Sequence, residues 1–315
     1  MSEFSLIERY FRGPRLRSDV MLSIGDDCAL VIPEQNQALA ISVDTLVEGV
    51  HFLPTVDPRS LGHKSLAVNL SDLAACGATP AWCTLAMSHP DPNESWLAEF
   101  MGGFFDLANQ HQIELVGGDT TRGPLTITVQ VIGTVPPNQA LKRSTASAGD
   151  LVYVSGPVGN AGLGLISELG RTNINNPEVL TALSRPTPRI ELGIKLRGLA
   201  SACIDVSDGL AADLGHILRC SHVGATIYWE RVPLSRSVKE YIQQVGDMSF
   251  PLCSGDDYEL CFTIPPKHEI HVMEIFRSLG LSGARIGHID ELAGLRILTA
   301  NGPLLIERAG YEHFH

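Results

Sequence analysis

The feature that most constrains this chain is a repeated placement of aspartates beside glycine or serine, at the ends of apolar, strand-like runs or on an apolar helix face. "IGDDCAL" (24–30) is the first case. Neighbouring strand residues point to opposite faces of a sheet, so a strand here turns at least one of Asp26 and Asp27 inward. A buried, unpaired carboxylate is costly enough to take up a proton or to require a cation. Five more segments raise the same demand: "ISVDTLVEGVHF", "HKSLAVNLSDLAACG", "LVGGDTTRGPL", "ACIDVSDGLAADLGH" and "CSGDDYELCF". Few lysines stand near them.

Taken singly, each segment also has an ordinary structural reading. On a helix, Leu61, Ser65, Val68, Asp72 and Ala75 share one face, and Leu66, Leu70 and Leu73 define a second apolar face. Asp72 then sits on a small-residue face, where it either binds a cation or pairs with Lys64 two turns earlier. Asp44 closes a strand, as a ligand or as the cap of the next turn. Two glycines before Asp119 let the backbone approach an anion, with Arg122 available to phosphate, but a plain turn has the same composition. The spacing and the Lys-Ser/Thr of a P-loop are missing. Asp205 ends an apolar strand, and one of Ser207 and Asp208 caps the following helix, whose start also favours anions. His51 is a candidate for an organic substrate or a structural histidine.

Taken together, the segments describe a site for hard cations. Magnesium takes oxygen ligands and commonly bridges one or two carboxylates to substrate phosphates. The formal net charge of −12 argues against a nucleic-acid backbone as partner, yet permits a polyphosphate if divalent ions lie between the anions. No Ser-His-Asp, Cys-His or H-E-x-x-H arrangement competes. The 7 cysteines form no C-x-x-C pair and fit free thiols in a reducing compartment. The acidic start "MSEFSLIERYF" does not read as a signal peptide, and no apolar run reaches the roughly 18 residues of a membrane helix. A cytoplasmic protein with no membrane partner is expected.

At 315 residues the chain is expected to hold about two domains. Strand-like "ALAISVDTLV", "AWCTLAMSH" and "LTITVQVIGTV" alternate with helical stretches after Pro58 and after Asn93, and "IELVGGDTT" reads as a strand running into a glycine-rich loop. Two prolines and a small, polar stretch after "VIGTV" set a boundary, giving domains at 1–138 and 139–315. Both halves mix strands and helices, so the expected class is α+β with two mixed α/β domains.

In order along the chain, "IGDDCAL", "SVDTLVEGVHF", "NLSDLAACGATP", "GGDTTRGP", "IDVSDGL" and "SGDDYEL", with the terminal "GYEHF", resemble the thiamine-monophosphate kinase family. That family shares an ATP-binding superfamily with aminoimidazole ribonucleotide synthetase and selenophosphate synthetase. The resemblance implies phosphorylation of thiamine monophosphate to thiamine diphosphate by ATP with several Mg²⁺ ions. It implies a homodimer whose N-terminal ATP- and Mg²⁺-binding domain pairs its sheet across the dimer, and a C-terminal domain closing over the nucleotide. By motif, Asp27, Ser42, Val43, Asp44, Asp72, Asp119, Asp205 and Asp208 would hold metal. Gly118, Asp119, Arg143 and Ser207 would contact ATP, and His51, Asp256 and Tyr311 the thiamine phosphate. Asp208 would act at the reacting centre through its metal, with no covalent nucleophile. Two positions depart from the pattern. Val43 stands where the family often has Thr or Ser, which leaves only its backbone carbonyl as a donor. Asp256 replaces the usual Glu and is one methylene shorter. The rival readings are another synthetase of the same superfamily and a non-catalytic metal- or nucleotide-binding module.

Overall fold

The computed structural model describes residues 3–91, 93–174, 176–307 and 310–313. Phe314, the last residue of the "GYEHF" motif, lies outside them. The chain divides into two compact units, Met1–Leu73 with Ala78–Asn138, and Ala74–Gly77 with Gln139–His315. Each is an α+β unit.

The first unit begins with a short helix α1 (Glu3–Leu6) that continues as a π-turn to Phe11, and a two-stranded ribbon of β1 (Val20–Leu22) and β2 (Leu30–Val31). Then come β3 (Ala38–Val47), α2 (Pro58–Ala75), β4 (Thr79–His89), α3 (Glu94–His111), β5 (Glu114–Arg122) and β6 (Thr126–Val135). The sheet order is β3-β6-β4-β5, with β4 and β5 parallel across the α3 crossover and the other pairs antiparallel. Pro58 opens α2, where its missing N–H costs nothing, and Asn93 caps α3 by accepting from the N–H groups of Ser95 and Trp96. Helices α2 and α3 cross at backbone contact. A Cβ on Gly62 would lie 1.9 Å from the Phe100 carbonyl oxygen, and one on Gly103 would lie 1.8 Å from that of Arg59. Consequently α2 is buried almost all round, with Leu66 and Leu70 fully enclosed and Leu73 nearly so.

The second unit runs β7 (Leu151–Val154), α4 (Asn160–Glu168), α5 (Pro177–Ser184), α6 (Ile190–Lys195), β8 (Ala202–Asp205), α7 (Leu210–Ser221), β9 (Gly224–Tyr228), α8 (Arg236–Val245), α9 (Phe250–Cys253), β10 (Leu260–Ile264), α10 (Glu269–Leu279), β11 (Ala284–Asp290), β12 (Gly294–Thr299) and β13 (Gly302–Pro303). Its seven-stranded sheet has the order β13-β12-β9-β11-β7-β10-β8, antiparallel except for β9 with β12. The apolar stripe of α7 (Leu210, Leu214, Ile217, Leu218) packs into a core with Val152, Ile204, Cys261 and Ile286. That packing fixes the chain entering α7, which carries the acidic "DVSDG".

Three expectations need correction. Residues 24–28 form a bridge and turn rather than a strand, and both Asp26 and Asp27 are exposed, so neither carries a burial penalty. Asp44 lies inside the ten-residue β3, not at its end. The glycines of "LVGGDTT" belong to β5 itself: the register with β4 slips so that Val116 is an extra residue before Gly117. A Cβ at Gly118 would lie 1.9 Å from the Leu85 carbonyl oxygen, so only glycine allows β4 this close.

Candidate active site

In the first unit the acids arise from an inverted strand. The odd positions of β3 expose Leu39, Ile41 and Val43, while Ser42, Asp44 and the buried Leu46 turn toward α2. Ser42 donates its hydroxyl to Asp72 Oδ2 at 2.5 Å, and the Asp44 N–H donates to Asn69 Oδ1 at 3.0 Å. Burial, and then the negative charge of Asp72, push the Asp44 carboxyl up to about 6. A carboxylate whose proton affinity is raised beside a second one, among hydroxyl and amide oxygens, forms a donor set suited to a hard cation. The Val43 side chain faces away from this group and is 55% exposed.

Asp27 and Asp119 belong to a different place. They line a cleft of about 530 Å³ whose walls include Asp26, Cys28, Gly117 and Gly118, with Phe11 and Leu85 as apolar surface. Asp26 Oδ1 accepts the Asp27 N–H at 2.8 Å, so Asp26 shapes the turn that presents its neighbour. Because β3 and β5 are opposite edges of the sheet, Asp119 stands three strand spacings from the β3 acids, about 14 Å along a flat sheet. Arg122 is exposed and donates to the Pro90 carbonyl at 3.1 Å. His51 follows β3, and its Nδ1 accepts the Val47 N–H at 3.0 Å. The ring is thus anchored to the end of β3 through its Nδ1.

In the second unit two loops are stitched together. The Ser207 carbonyl accepts the Asp256 N–H at 2.8 Å, and the Val206 carbonyl accepts the Tyr258 N–H at 2.8 Å. The Tyr311 N–H donates to the Asp208 carbonyl at 3.0 Å, bringing the chain's end onto the same loop. Tyr258 also donates its phenol to Asp256 Oδ1 at 2.9 Å. Asp256 and Tyr258 have φ of +67° and +49°, a left-handed backbone that is unusual for a bulky residue such as tyrosine. Burial pushes the Asp208 carboxyl up, His216 and His313 pull it down, and weaker opposing effects come from Asp256 and Arg143. Ser207, Asp208, Arg143, Asp256 and Tyr311 therefore meet in one neighbourhood. Asp205 is buried at the end of β8, 4% exposed.

The two halves of the chain match family domains in sequence. Residues 25–135 match the AIR synthase related protein N-terminal domain, and residues 147–298 match its C-terminal domain. The chain is 45% identical to the thiamine-monophosphate kinase of Escherichia coli K12, over 99% of this chain and 98% of that one. A crystal structure of thiamine-monophosphate kinase from Stenotrophomonas maltophilia K279a superposes with a TM-score of 0.86 at 43% identity, covering 94% of this chain and 96% of the other. The chain belongs to the thiamine-monophosphate kinase family. A further solved relative, AaThiL complexed with AMPPCP and TMP, has a TM-score of 0.78 at 30% identity and covers 90% of this chain and 89% of its own.

Several residues around the family's motifs escape sequence reading. Asp213 and His216 place ligand atoms within 4.8 Å of those of Asp208. Asp213 is nearly buried; burial and then the Asp208 charge push its carboxyl up to about 7, against three backbone N–H groups that favour the anion. Glu259, in "YELCF", is the buried partner of Arg189 and Ser155. Only the spacing of Asp213, four residues into the helix after Gly209, hints at its role.

Proposed function

We propose that this chain transfers the γ-phosphate of ATP to thiamine monophosphate, giving thiamine diphosphate, by direct in-line transfer without a phospho-enzyme. The observation that carries the reading is the full-length identity to curated thiamine-monophosphate kinases, shared by both units. The relative described with AMPPCP and TMP supports ATP and the vitamin phosphate as the ligand pair.

The residues suit such a reaction. The acceptor is a phosphate monoester with a second pKa of roughly 6, already largely anionic near pH 7, so no general base has to create the nucleophile. Transfer between two anions depends on alignment and charge neutralisation. Asp44, Asp72 and Ser42 form one oxygen-rich ligand group, Asp27 and Asp119 line a second, and Asp205 with Asp208 supply a third. These are the groups that would hold Mg²⁺. When bound, Mg²⁺ would screen the phosphate charges. Val43 would add its carbonyl alone. Gly118, Arg143 and Ser207 would bind the nucleotide. His51, Asp256 and Tyr311 would orient the thiamine phosphate.

The homodimer reading is supported by β3, an edge strand whose outer side carries Leu39, Ile41 and Val43 at 47%, 61% and 55% exposure. An apolar face of this kind is normally covered by a partner, and sedimentation of the purified chain as a monomer would remove this part. Among the described residues no helix is long and apolar enough to cross a membrane, and a cytoplasmic location fits the proposed substrates. The deciding assay mixes the chain with ATP and thiamine monophosphate, with and without Mg²⁺, and follows thiamine diphosphate. Mg²⁺-dependent product is expected. Absence of product, or a labelled phospho-enzyme formed from ATP alone, would overturn the reading.

A further inference from the structure

We infer that Asp213 is a positioning residue that holds the backbone of residues 207–209 from within, and thereby aims Ser207 and Asp208 at the metal and nucleotide; this rests on the function proposed above. One oxygen, Asp213 Oδ2, accepts the N–H groups of Ser207 at 3.0 Å, Asp208 at 3.0 Å and Gly209 at 3.1 Å. The residue is 3% exposed.

Three consecutive N–H groups converging on one point form the kind of concavity that binds phosphate in other proteins. Here the protein's own carboxylate fills it. The nucleotide must therefore be met by side chains of this loop, not by these amides. Gly209 offers no capping side chain to α7, and the helix satisfies its entrance through its own first-turn residue instead. The opposite side of the loop is tied as well. Its carbonyls at Val206, Ser207 and Asp208 accept from Tyr258, Asp256 and Tyr311. With donors and acceptors both engaged, the side chains of Ser207 and Asp208 are the parts left to reach a ligand. A Cβ on Gly255 would come 2.2 Å from the Ser207 carbonyl oxygen, so the seam leaves no slack.

The close grouping of Asp208, Asp213 and His216 allows a different assignment, with Asp213 as a direct ligand. Metal bound at Oδ2 would compete with three N–H donors already on that atom, so direct ligation would have to use Oδ1. The two roles separate under two substitutions in the full chain. Asp213→Asn keeps an acceptor oxygen in place and removes the charge. Asp213→Glu keeps the charge and moves it one methylene away from the three amides.

The measurements are hydrogen exchange at residues 207–209 without ligand, the melting temperature, and calorimetric binding of Mg²⁺ with AMPPCP. Both substitutions should speed exchange at these amides and weaken Mg²⁺–nucleotide binding about 10- to 100-fold, the usual cost of losing a residue that orients metal ligands. Wild-type exchange protection in both variants would overturn the inference. So would wild-type metal affinity in Asp213→Glu alongside its loss in Asp213→Asn, which would mark a direct ligand. The exchange result stands apart from turnover: a wild-type chain that makes no thiamine diphosphate would refute the proposed function while leaving the loop measurement readable.

Discussion

Replacing Glu259 with Gln should strip the second unit of a large part of its stability, and the structure sets the size of the effect. Glu259 immediately precedes β10, and its side chain is only 7% exposed. Arg189 reaches it with two parallel donors, Nε to Oε2 at 2.8 Å and Nη2 to Oε1, while the Ser155 hydroxyl adds a third bond at Oε2. Ser155 also accepts the Leu260 N–H at 2.7 Å, so the pair ties the start of β10 to the end of β7 and the entrance of α6. Glutamine keeps the shape, removes the charge and turns an amide N–H₂ toward the guanidinium. An uncompensated buried charge costs about 3–5 kcal/mol. Arg189 is 22% exposed, so water recovers part of that, and the lower end of about 3 kcal/mol applies. For a unit of this size each kcal/mol lowers Tm by about 2–4 °C, so scanning calorimetry should show a drop of about 6–12 °C. The double variant Arg189→Met, Glu259→Leu should regain most of it, because a packed apolar pair avoids the desolvation cost. A Tm within 2 °C of wild type for Glu259→Gln, or a double variant worse than the single, would refute the argument.

Asp72→Asn keeps the volume and the Ser42 contact but removes a charge from the β3 group. Turnover should fall at least about 100-fold while Tm holds; a large fall in Tm with normal kcat would point to a structural carboxylate instead. Arg143→Ala should raise KM for ATP roughly 10-fold and leave KM for thiamine monophosphate unchanged, and an equal rise in both would contradict a nucleotide contact. Asp257 caps α4 by accepting from the N–H groups of Gly159 at 2.6 Å and Ala161 at 3.3 Å, and burial pushes its carboxyl up to about 8. A raised folded pKa means its stabilising contribution is complete below about pH 4 and is lost as pH rises through about 8. Asp257→Asn should therefore flatten the decline of Tm across that window, and parallel curves for variant and wild type would contradict the burial argument.

Much of the chain was legible before folding. The start of α2 was legible from Pro58 and that of α3 from Asn93, because caps and breakers act through their immediate neighbours. The alternation of Leu125 to Val135 and the apolar stripe of α7 report burial periodicity directly. The acidic motifs were visible along the chain, yet the environments of some were misjudged where local pattern and tertiary setting diverge. At least one of Asp26 and Asp27 looked buried because their flanks are apolar, but those flanks form a bridge and a turn. Asp44 looked terminal because a charge interrupts an apolar run. In fact β3 is inverted, with its polar side on α2 and its apolar side outward, and no residue of β3 alone says which side α2 will cover.

The sequence by itself determined many of the elements, the class and the acidic motifs, since each depends on residues within a few positions of one another. Only the tertiary structure decided which acids keep company. Sheet order put Asp44 and Asp119 on opposite edges. Pairing of Asp44 with Asp72 required α2 to lie beneath β3, and the burial that raises the Asp44 carboxyl exists only there. Asp213 shows the same division most plainly. Its spacing from Gly209 is written in the chain, but three amides converge on its carboxylate only once α7 is packed and the carbonyls of the same loop are held by residues about 50 and 100 positions away. A hydrogen bond to the backbone carries no side-chain code, so its partners become known when the chain has folded.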